Sequence, residues 1–437
     1  MALHSVILNE EKCKGCTNCI KHCPTEAIRV RNGKAKIIED RCIDCGECIK
    51  VCPNHAKEAL MTPIDKINEF TFKIALPAPS FYGQFKKPIT VVLGSLYAMG
   101  FDYVCEVANA AEIASSFIHE YLKSKNIKRP AISSSCPSVI RLIMLEFPSL
   151  MDNIIRVESP MEIAARISKN RFHQKLHIPE KDIGVFFISP CAAKMTAVKN
   201  PLGSEKSSVD GVLSMRELAP YILKNESDSN FELTSTSKGI GWSLSGGESK
   251  AAKIENSLYV DGIHNCLDVL KEIELGKLDD IDFFEGLACP GGCIGGPLTI
   301  ENLYVTKNRI KKLMDSIENR ESSRQISKTA YGDSFFMDKE FASVKGLTLD
   351  ADVSKAIEKL SKIDTIVSTL PGLDCGACGA PTCKALAEDI VRDWANEMDC
   401  IFILKKKISI LANEVAEIST ILPPTLQEER RNLHDGK

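Results

Sequence analysis

Two twelve-residue stretches constrain this chain more than anything else in it. Residues 13 to 24 read CKGCTNCIKHCP and residues 42 to 53 read CIDCGECIKVCP. Both are C-x2-C-x2-C-x3-C-P, repeated with a period of 29 residues. Three cysteines so close on a tight loop can grip one compact centre, and the proline redirects the chain carrying the fourth. The chain holds 18 cysteines in 437 residues. Eight lie between 13 and 52, four between 375 and 400, and Cys105, Cys136, Cys191, Cys266, Cys289 and Cys293 are scattered between. The opening MALHSVILNEEK lacks a basic segment followed by an apolar core, so no secretory signal is expected. A reducing, cytoplasmic setting argues for metal ligation rather than disulfides. A net charge of −3 from 55 basic and 58 acidic residues gives no footprint for nucleic acid or an anionic membrane. No apolar run approaches the roughly 20 residues that span a bilayer.

The N-terminal repeat resembles the two-cluster ferredoxins, in which the fourth cysteine of each run serves the other cluster. The resemblance assigns Cys13, Cys16, Cys19 and Cys52 to one 4Fe-4S cluster. It assigns Cys42, Cys45, Cys48 and Cys23 to a second. A pair of zinc sites is the alternative, although zinc ribbons rarely place three cysteines so close twice over. Between the runs, AIRVRNGKAKII reads as a hairpin turning at Asn32 and Gly33.

LPGLDCGACGAPTC, residues 370 to 383, continues to Cys400 with the spacing C-x2-C-x4-C-x16-C. It resembles a small iron–sulfur module of some membrane-associated electron-transfer subunits and corrinoid iron–sulfur proteins. The resemblance implies a third 4Fe-4S cluster on Cys375, Cys378, Cys383 and Cys400, with four-cysteine zinc as the alternative. Lys384 to Met398 reads as a helix, with Leu386, Ile390, Val391 and Trp394 near 3.6-residue spacing. IFILKKKISILANEVAEISTIL reads as an amphipathic helix whose apolar stripe suits a docking or dimer face better than a membrane anchor. The polar stretch 423–437 is expected to be disordered.

Between these ends, helical patterns alternate with short apolar runs. KIALPAPS, RPAISSS and DIGVFFISP read as buried parallel strands; AAEIASSFIHEYLKS and PMEIAARISKNRFHQ read as helices. That alternation predicts an α/β domain with its site at the carboxyl ends of strands, where Cys136 and Cys191 fall. Expected boundaries are 1–62 for the two-cluster ferredoxin-like domain and 63–330 for the central, two-lobed domain. A connecting segment would occupy 331–363 and the helical C-terminal iron–sulfur module 364–437.

Three segments make the central domain specific. SSSCPSV, SPCAAKM and EGLACPGGCIGG resemble, in order, the signature segments of FeFe-hydrogenases. The resemblance covers most of residues 1 to 310. It implies an H-cluster: a 4Fe-4S subcluster on Cys136, Cys191, Cys289 and Cys293, joined through Cys293 to a two-iron unit with CO, CN and a dithiolate amine bridge. It further implies that Lys194 pairs with one cyanide and that Pro79 and Ser80 hydrogen-bond the other. For these three, an ordinary surface lysine and strand end are the plainer readings. Gly246 and Gly247 match a glycine pair near the cluster, or a simple turn. Cys105 and Cys266 read as buried small residues.

The chain also departs from the family. Ser135 stands where a proton-relaying cysteine is usual, and a hydroxyl is far less acidic than a thiol of pKa about 8.5. Ser189 and Leu287 replace methionines, Ala197 a glutamate and Met161 a glutamine, and the usual final glycine run is shortened (Gly295 to Pro297). These departures resemble the sensory hydrogenases. The reading is therefore a hydrogen-sensing or slow hydrogenase, cleaving H2 heterolytically and reversibly. Its partners would be H2, protons, and a ferredoxin-like or signalling protein. The alternatives are a hydrogenase-like cluster-assembly protein without the two-iron unit, and a plain multi-cluster electron carrier.

Overall fold

The structure is a computed structural model that describes residues 4–124, 127–224, 231–317, 335–342 and 348–421. The tail at 423–437 lies outside the described residues.

The N-terminal unit holds four short strands: β1 (Val6–Leu8), β2 (Ile28–Arg31), β3 (Lys34–Ile37) and β4 (Lys57–Ala59). β1 pairs with β4 and β2 with β3, both antiparallel. Asn32 and Gly33 turn the hairpin at φ 51° and 73°, the left-handed pair that a two-residue hairpin loop requires. Small apolar residues and cysteines fill the space between these pairs.

The central unit is built on two parallel sheets. Its strands are β5 (Phe72–Pro77), β6 (Tyr103–Val104), β7 (Ala131–Ile132), β8 (Ile183–Ser189), β9 (Gly211–Ser214), β10 (Ser257–Asp261) and β11 (Phe283–Leu287). One sheet has the order β6-β5-β8-β9, the other β10-β11-β7. β8 (IGVFFIS) and β11 (FFEGL) are buried along their whole length, as strands covered on both faces are. The helices Val107–Leu122 and Pro160–Leu176 pack in the core of the first sheet. Pro137–Glu146 and Ile263–Glu274 pack in a separate core with the second, which makes the unit two-lobed. RPAISSS contributes only two residues to a ladder. Its serines turn to other partners: Ser134 donates to the Val157 carbonyl (2.6 Å) and Ser133 to a carboxylate on a neighbouring helix.

Asp44 ties the N-terminal unit to both lobes. It sits between Cys42 and Cys45 in a left-handed conformation (φ 56°) and is buried. Its carboxylate accepts from the amides of Ser5 (2.9 Å) and Val6 (3.0 Å), from Thr196 Oγ1 (2.6 Å) and from Arg141 Nη1 (3.0 Å). Thr196 and Arg141 belong to the helices that begin immediately after Cys191 and Cys136.

The C-terminal module consists of helices Val353–Thr369, Cys383–Val391 and Ile401–Thr420. The stretch read as a connecting segment is shared out: Phe335 is buried in the central core, while the helix from Val353 packs on the C-terminal one. The helix expected to reach Met398 stops at Val391. Asp393 turns left-handed (φ 60°), and the Trp394 amide closes back on the Asp389 carbonyl at 2.8 Å. Trp394 thus leaves the apolar stripe and lies exposed beneath the Arg392 guanidinium.

This module docks on the hairpin of the N-terminal unit. The Val30 amide donates to the Gly379 carbonyl (2.8 Å) and Arg31 Nη1 to the Cys378 carbonyl (2.7 Å). Asp389 receives both Arg29 (2.7 Å) and Arg31 (2.8 Å), and Arg41 pairs with Glu388. Gly379, at φ 81°, admits the contact because a Cβ there would stand 1.9 Å from the Val30 carbonyl oxygen. Among the described residues no helix is long and apolar enough to cross a membrane.

Removing one partner of a buried ion pair strands the other charge, at a cost of about 3–5 kcal/mol. Asp389→Ala is expected to release the C-terminal module, read as early protease cleavage between residues 342 and 370 while the central unit stays intact. Asp44→Ala should cost a similar amount, but in the cohesion of the two cluster-bearing units, seen as amide exchange in both β1 and the helix Ala192–Lys199.

Candidate active site and cluster centres

The carboxyl ends of four strands converge on one cavity of about 100 Å³. β5 leads to Pro79 and Ser80, β7 to Ser135 and Cys136, β8 to Ser189 and Cys191, and β11 to Leu287 and Cys289; Cys293 follows on a short turn. All of these residues and Lys194 line the cavity. Residues spread from 79 to 293 in the sequence thus share one wall-to-wall space between the two sheets. Met161, Trp242 and Gly292 complete parts of the lining.

Local structure places each cysteine. Cys136 and Cys191 each occupy the N-cap of the helix that follows. Ser189 accepts from the Cys191 amide (3.0 Å) and donates to the Cys191 carbonyl (3.1 Å). Its hydroxyl is spent on shaping that loop rather than reaching into the cavity. The turn bearing Cys293 approaches other backbone closely. A Cβ at Gly296 would lie 2.4 Å from the Pro190 oxygen, and at Gly292 (φ 94°) 2.8 Å from the Ser243 oxygen. Burial pushes the Cys191 thiol up to about 11 and Cys293 to about 12, with the neighbouring thiols adding to the shift. Cys289 is raised well above its usual value, again by burial first.

These residues fit the group that the sequence implies for them. Four soft donors gathered around one cavity repel each other as thiolates unless iron takes the place of their protons. Two polar tips stand ready beside them. Ser80 Oγ is buried without a protein partner. Lys194 points inward, donating to the Ser135 carbonyl at 3.3 Å. Apolar side chains such as Val107, Ala111, Met161, Phe187 and Leu287 line much of the remainder, which suits H2.

Two cavity residues were not anticipated as functional: Glu248 and Glu285. Glu285 lies in the middle of β11, a carboxylate in an otherwise apolar strand, and that position was the available signal. Glu285 opens the segment EGLACPGGCIGG, and Glu248 directly follows the glycine pair Gly246 and Gly247. Glu285 accepts from the Gly246 amide (2.9 Å), the Ser249 amide (2.9 Å) and Ser249 Oγ (2.7 Å). Glu248 accepts from Ser133 Oγ (2.7 Å), and its other oxygen is buried without a partner. The Ser135 amide donates to Ser133 Oγ (3.1 Å), and the Ser135 hydroxyl also acts on Glu248. Burial, then the nearby Glu285, push Glu248 up to about 8. Burial raises Glu285 as well, but its three donors favour the charged form there, so Glu248 is the member that keeps a proton.

The ferredoxin-like cysteines also come together. Cys23, Cys42, Cys45 and Cys48 line one small cavity. Cys13, Cys16 and Cys52 act on Cys19 at close range. Amides of Ala35, Ala27 and Ala56 donate to Cys13, Cys23 and Cys52 sulfur (3.5, 3.2 and 3.3 Å), as cluster thiolates need. In the C-terminal module Cys378, Cys383 and Cys400 share a core and Cys375 is exposed. Cys266 is buried and donates to the Leu287 carbonyl (3.5 Å), whereas Cys105 packs against the central core.

The chain belongs to the family described as iron only hydrogenase large subunit, C-terminal domain, whose model matches residues 72–253 and 245–297. A 4Fe-4S dicluster domain model matches residues 5–53, and an Fe-S cluster model residues 370–402. The NADP-reducing hydrogenase subunit HndD of Solidesulfovibrio fructosivorans is 26% identical over 66% of this chain, which spans 56% of that subunit's length. The periplasmic iron hydrogenase large subunit of Nitratidesulfovibrio vulgaris is 25% identical over 67% of this chain and 86% of its own. A cytosolic Fe-S cluster assembly factor of Caenorhabditis elegans is 21% identical over 71% and 75%. The family therefore holds both hydrogenases and assembly factors.

The raised value at Glu248 has a direct readout. The native state holds a proton there that the unfolded chain has lost, so stability should fall as pH rises from 4.5 towards about 8 and level off above it. A carboxylic-acid C=O infrared band should bleach over the upper end of that range and be missing from Glu248→Gln, whose stability should no longer carry that slope.

Proposed function

We propose that this protein is a hydrogen-sensing or slow FeFe-hydrogenase that works in the cytoplasm. The observation that carries the reading is the single cavity that holds Cys136, Cys191, Cys289 and Cys293 together with Lys194 and the unpartnered hydroxyl of Ser80. Cys136, Cys191, Cys289 and Cys293 would hold the 4Fe-4S subcluster, with Cys293 shared with the two-iron unit. When bound, that unit supplies reversible heterolytic cleavage of H2. Lys194 and Ser80 orient it through charge-assisted and neutral hydrogen bonds. Electrons would pass between the cavity and the ferredoxin-like clusters across the short gap spanned by the Cys42–Cys45 loop. A third cluster on Cys375, Cys378, Cys383 and Cys400 would extend that route to a redox or signalling partner.

Proton handling is where this chain departs from fast members of its family. Ser135 cannot exchange protons near neutrality as a thiol does. Glu248 can, because its raised value brings it close to working pH and one of its oxygens lacks a partner. It lines the same cavity, and the groups beside it are the hydroxyls of Ser133 and Ser135 rather than a thiol. A relay of hydroxyls supports slow turnover, which suits a sensor.

The assembly factor among the relatives supports a second reading, in which the four cysteines hold only a 4Fe-4S cluster. Loading with a synthetic two-iron cofactor separates the two. Infrared bands of iron-bound CO and CN are expected, and should shift in Lys194→Ala and Ser80→Ala; a protein that takes up iron but never shows those bands supports the second reading. In loaded protein, Ser135→Cys should raise turnover by roughly tenfold or more, about 1.4 kcal/mol of barrier for each tenfold. Glu248→Gln should lower it in the parent chain and matter far less once Cys replaces Ser135.

A further inference from the structure

Among the described residues, nothing buries a face of the last helix, Ile401–Thr420. Within the same residues its main packing partner is the Glu397–Asp399 turn immediately before it, and Ile403 alone packs against the module core. Twenty residues give about 30 Å of helix. In proteins most helical stability comes from packing an amphipathic face rather than from propensity, so this helix calls for a partner surface.

The sequence of that helix says which face and what covers it. Ile401, Leu404, Ile408, Leu411, Val415 and Ile418 recur at steps of three and four residues, and all six are between 40% and 67% exposed. Written as heptads, Ile401, Ile408 and Val415 take the a positions and Leu404, Leu411 and Ile418 the d positions. Phe402 and Ile410 are exposed too, at b and c positions of the first two heptads, but only the a and d positions stay large and apolar through all three heptads, which is the repeat of a coiled-coil seam. The charges flanking the seam choose the partner and the direction. Lys407 and Glu414 both occupy g positions. In an antiparallel pair of identical helices the g positions face each other. With Ile401 against Ile418, Leu404 against Val415 and Ile408 against Leu411 of the second copy, Lys407 of each chain meets Glu414 of the other. A parallel pair would instead put Lys407 opposite Ala412 and Glu414 opposite Ser419, with no attraction, and would crowd the Lys405–Lys407 runs of both chains together.

We infer that the protein forms a homodimer through an antiparallel coiled coil of the 401–418 seam. The two C-terminal modules then sit at opposite ends of a rod about 30 Å long, and each copy keeps its own cavity and clusters.

Sedimentation of the full-length protein over a range of concentrations tests this. A dimer is expected, and Leu411→Asp should leave a monomer whose iron–sulfur absorbance is unchanged. Because that variant could lose the helix itself, a charge exchange supplies the independent check. Lys407→Glu should weaken association roughly tenfold, the size expected when two attractive pairs become repulsive, and adding Glu414→Lys should restore it. A protein that is monomeric throughout overturns the inference, and binding of that monomer to anionic vesicles would assign the seam to a lipid surface. A dimer indifferent to Leu411→Asp overturns it in favour of another surface. A dimer indifferent to Lys407→Glu overturns the antiparallel arrangement.

Discussion

One buried carboxylate holds the working parts of this molecule in register. Asp44 lies inside the loop that presents Cys42, Cys45 and Cys48, and it accepts from β1 and from the helices headed by Cys136 and Cys191. A charge that is buried survives only if it is fully satisfied, and here the donors come from three separate parts of the chain. The result is that the second ferredoxin-like cluster site cannot move relative to the cavity without breaking the whole set. Lys50, two residues after Cys48, reaches the same boundary and lowers the cost of charge on Cys289. For electron transfer, whose rate depends steeply on distance, such rigidity matters more than the identity of any one residue in the gap.

The cavity gathers thiols, an inward lysine and buried carboxyls in one space. The four cysteines, Lys194 and Ser80 are held by strand ends and helix starts, positions set by the sheets. Ser135, Ser189, Leu287 and Met161 line the same cavity, whereas Ala197 lies at a separate cleft. Ser189 is absorbed into the Cys191 loop, and Ser133 and Ser135 turn towards Glu248. Glu248 and Glu285 form the kind of unequal carboxylate pair in which one member keeps a proton because the other has the better donors.

The C-terminal module is fastened rather than tethered. Arg29 and Arg31 from one hairpin strand converge on Asp389, and the backbone of β2 continues its hydrogen bonding into the Gly379 loop. Its cluster-bearing loop lies against Val30, Arg31 and Lys21, on the ferredoxin-like unit rather than beside the cavity. The arrangement seats this loop on the ferredoxin-like unit and leaves the helix beyond Cys400 as the outward element.

Much of this was legible in the residues alone, for a simple reason. Iron–sulfur clusters are held chiefly by cysteine thiolates, so the two runs before residue 53, the C-terminal spacing and the three signature segments announced the domain order, the iron–sulfur content and the family. The Asn32–Gly33 turn was readable because a left-handed pair admits few residues. What only the tertiary structure decided were relations between residues distant in sequence. No spacing rule pairs Asp44 with Thr196 and Arg141, or Asp389 with Arg29, because buried ion pairs depend on which surfaces meet. The early end of the helix at Val391 was missed because the apolar period continued past a left-handed Asp393. Glu248 and Glu285 passed as ordinary acidic residues until folding buried them side by side. Sequence by itself determined which thiols the chain offers to iron–sulfur clusters; burial determined which of the remaining groups can hold a proton, since a carboxylate's affinity for one is set by the water and charges it loses or gains in the fold.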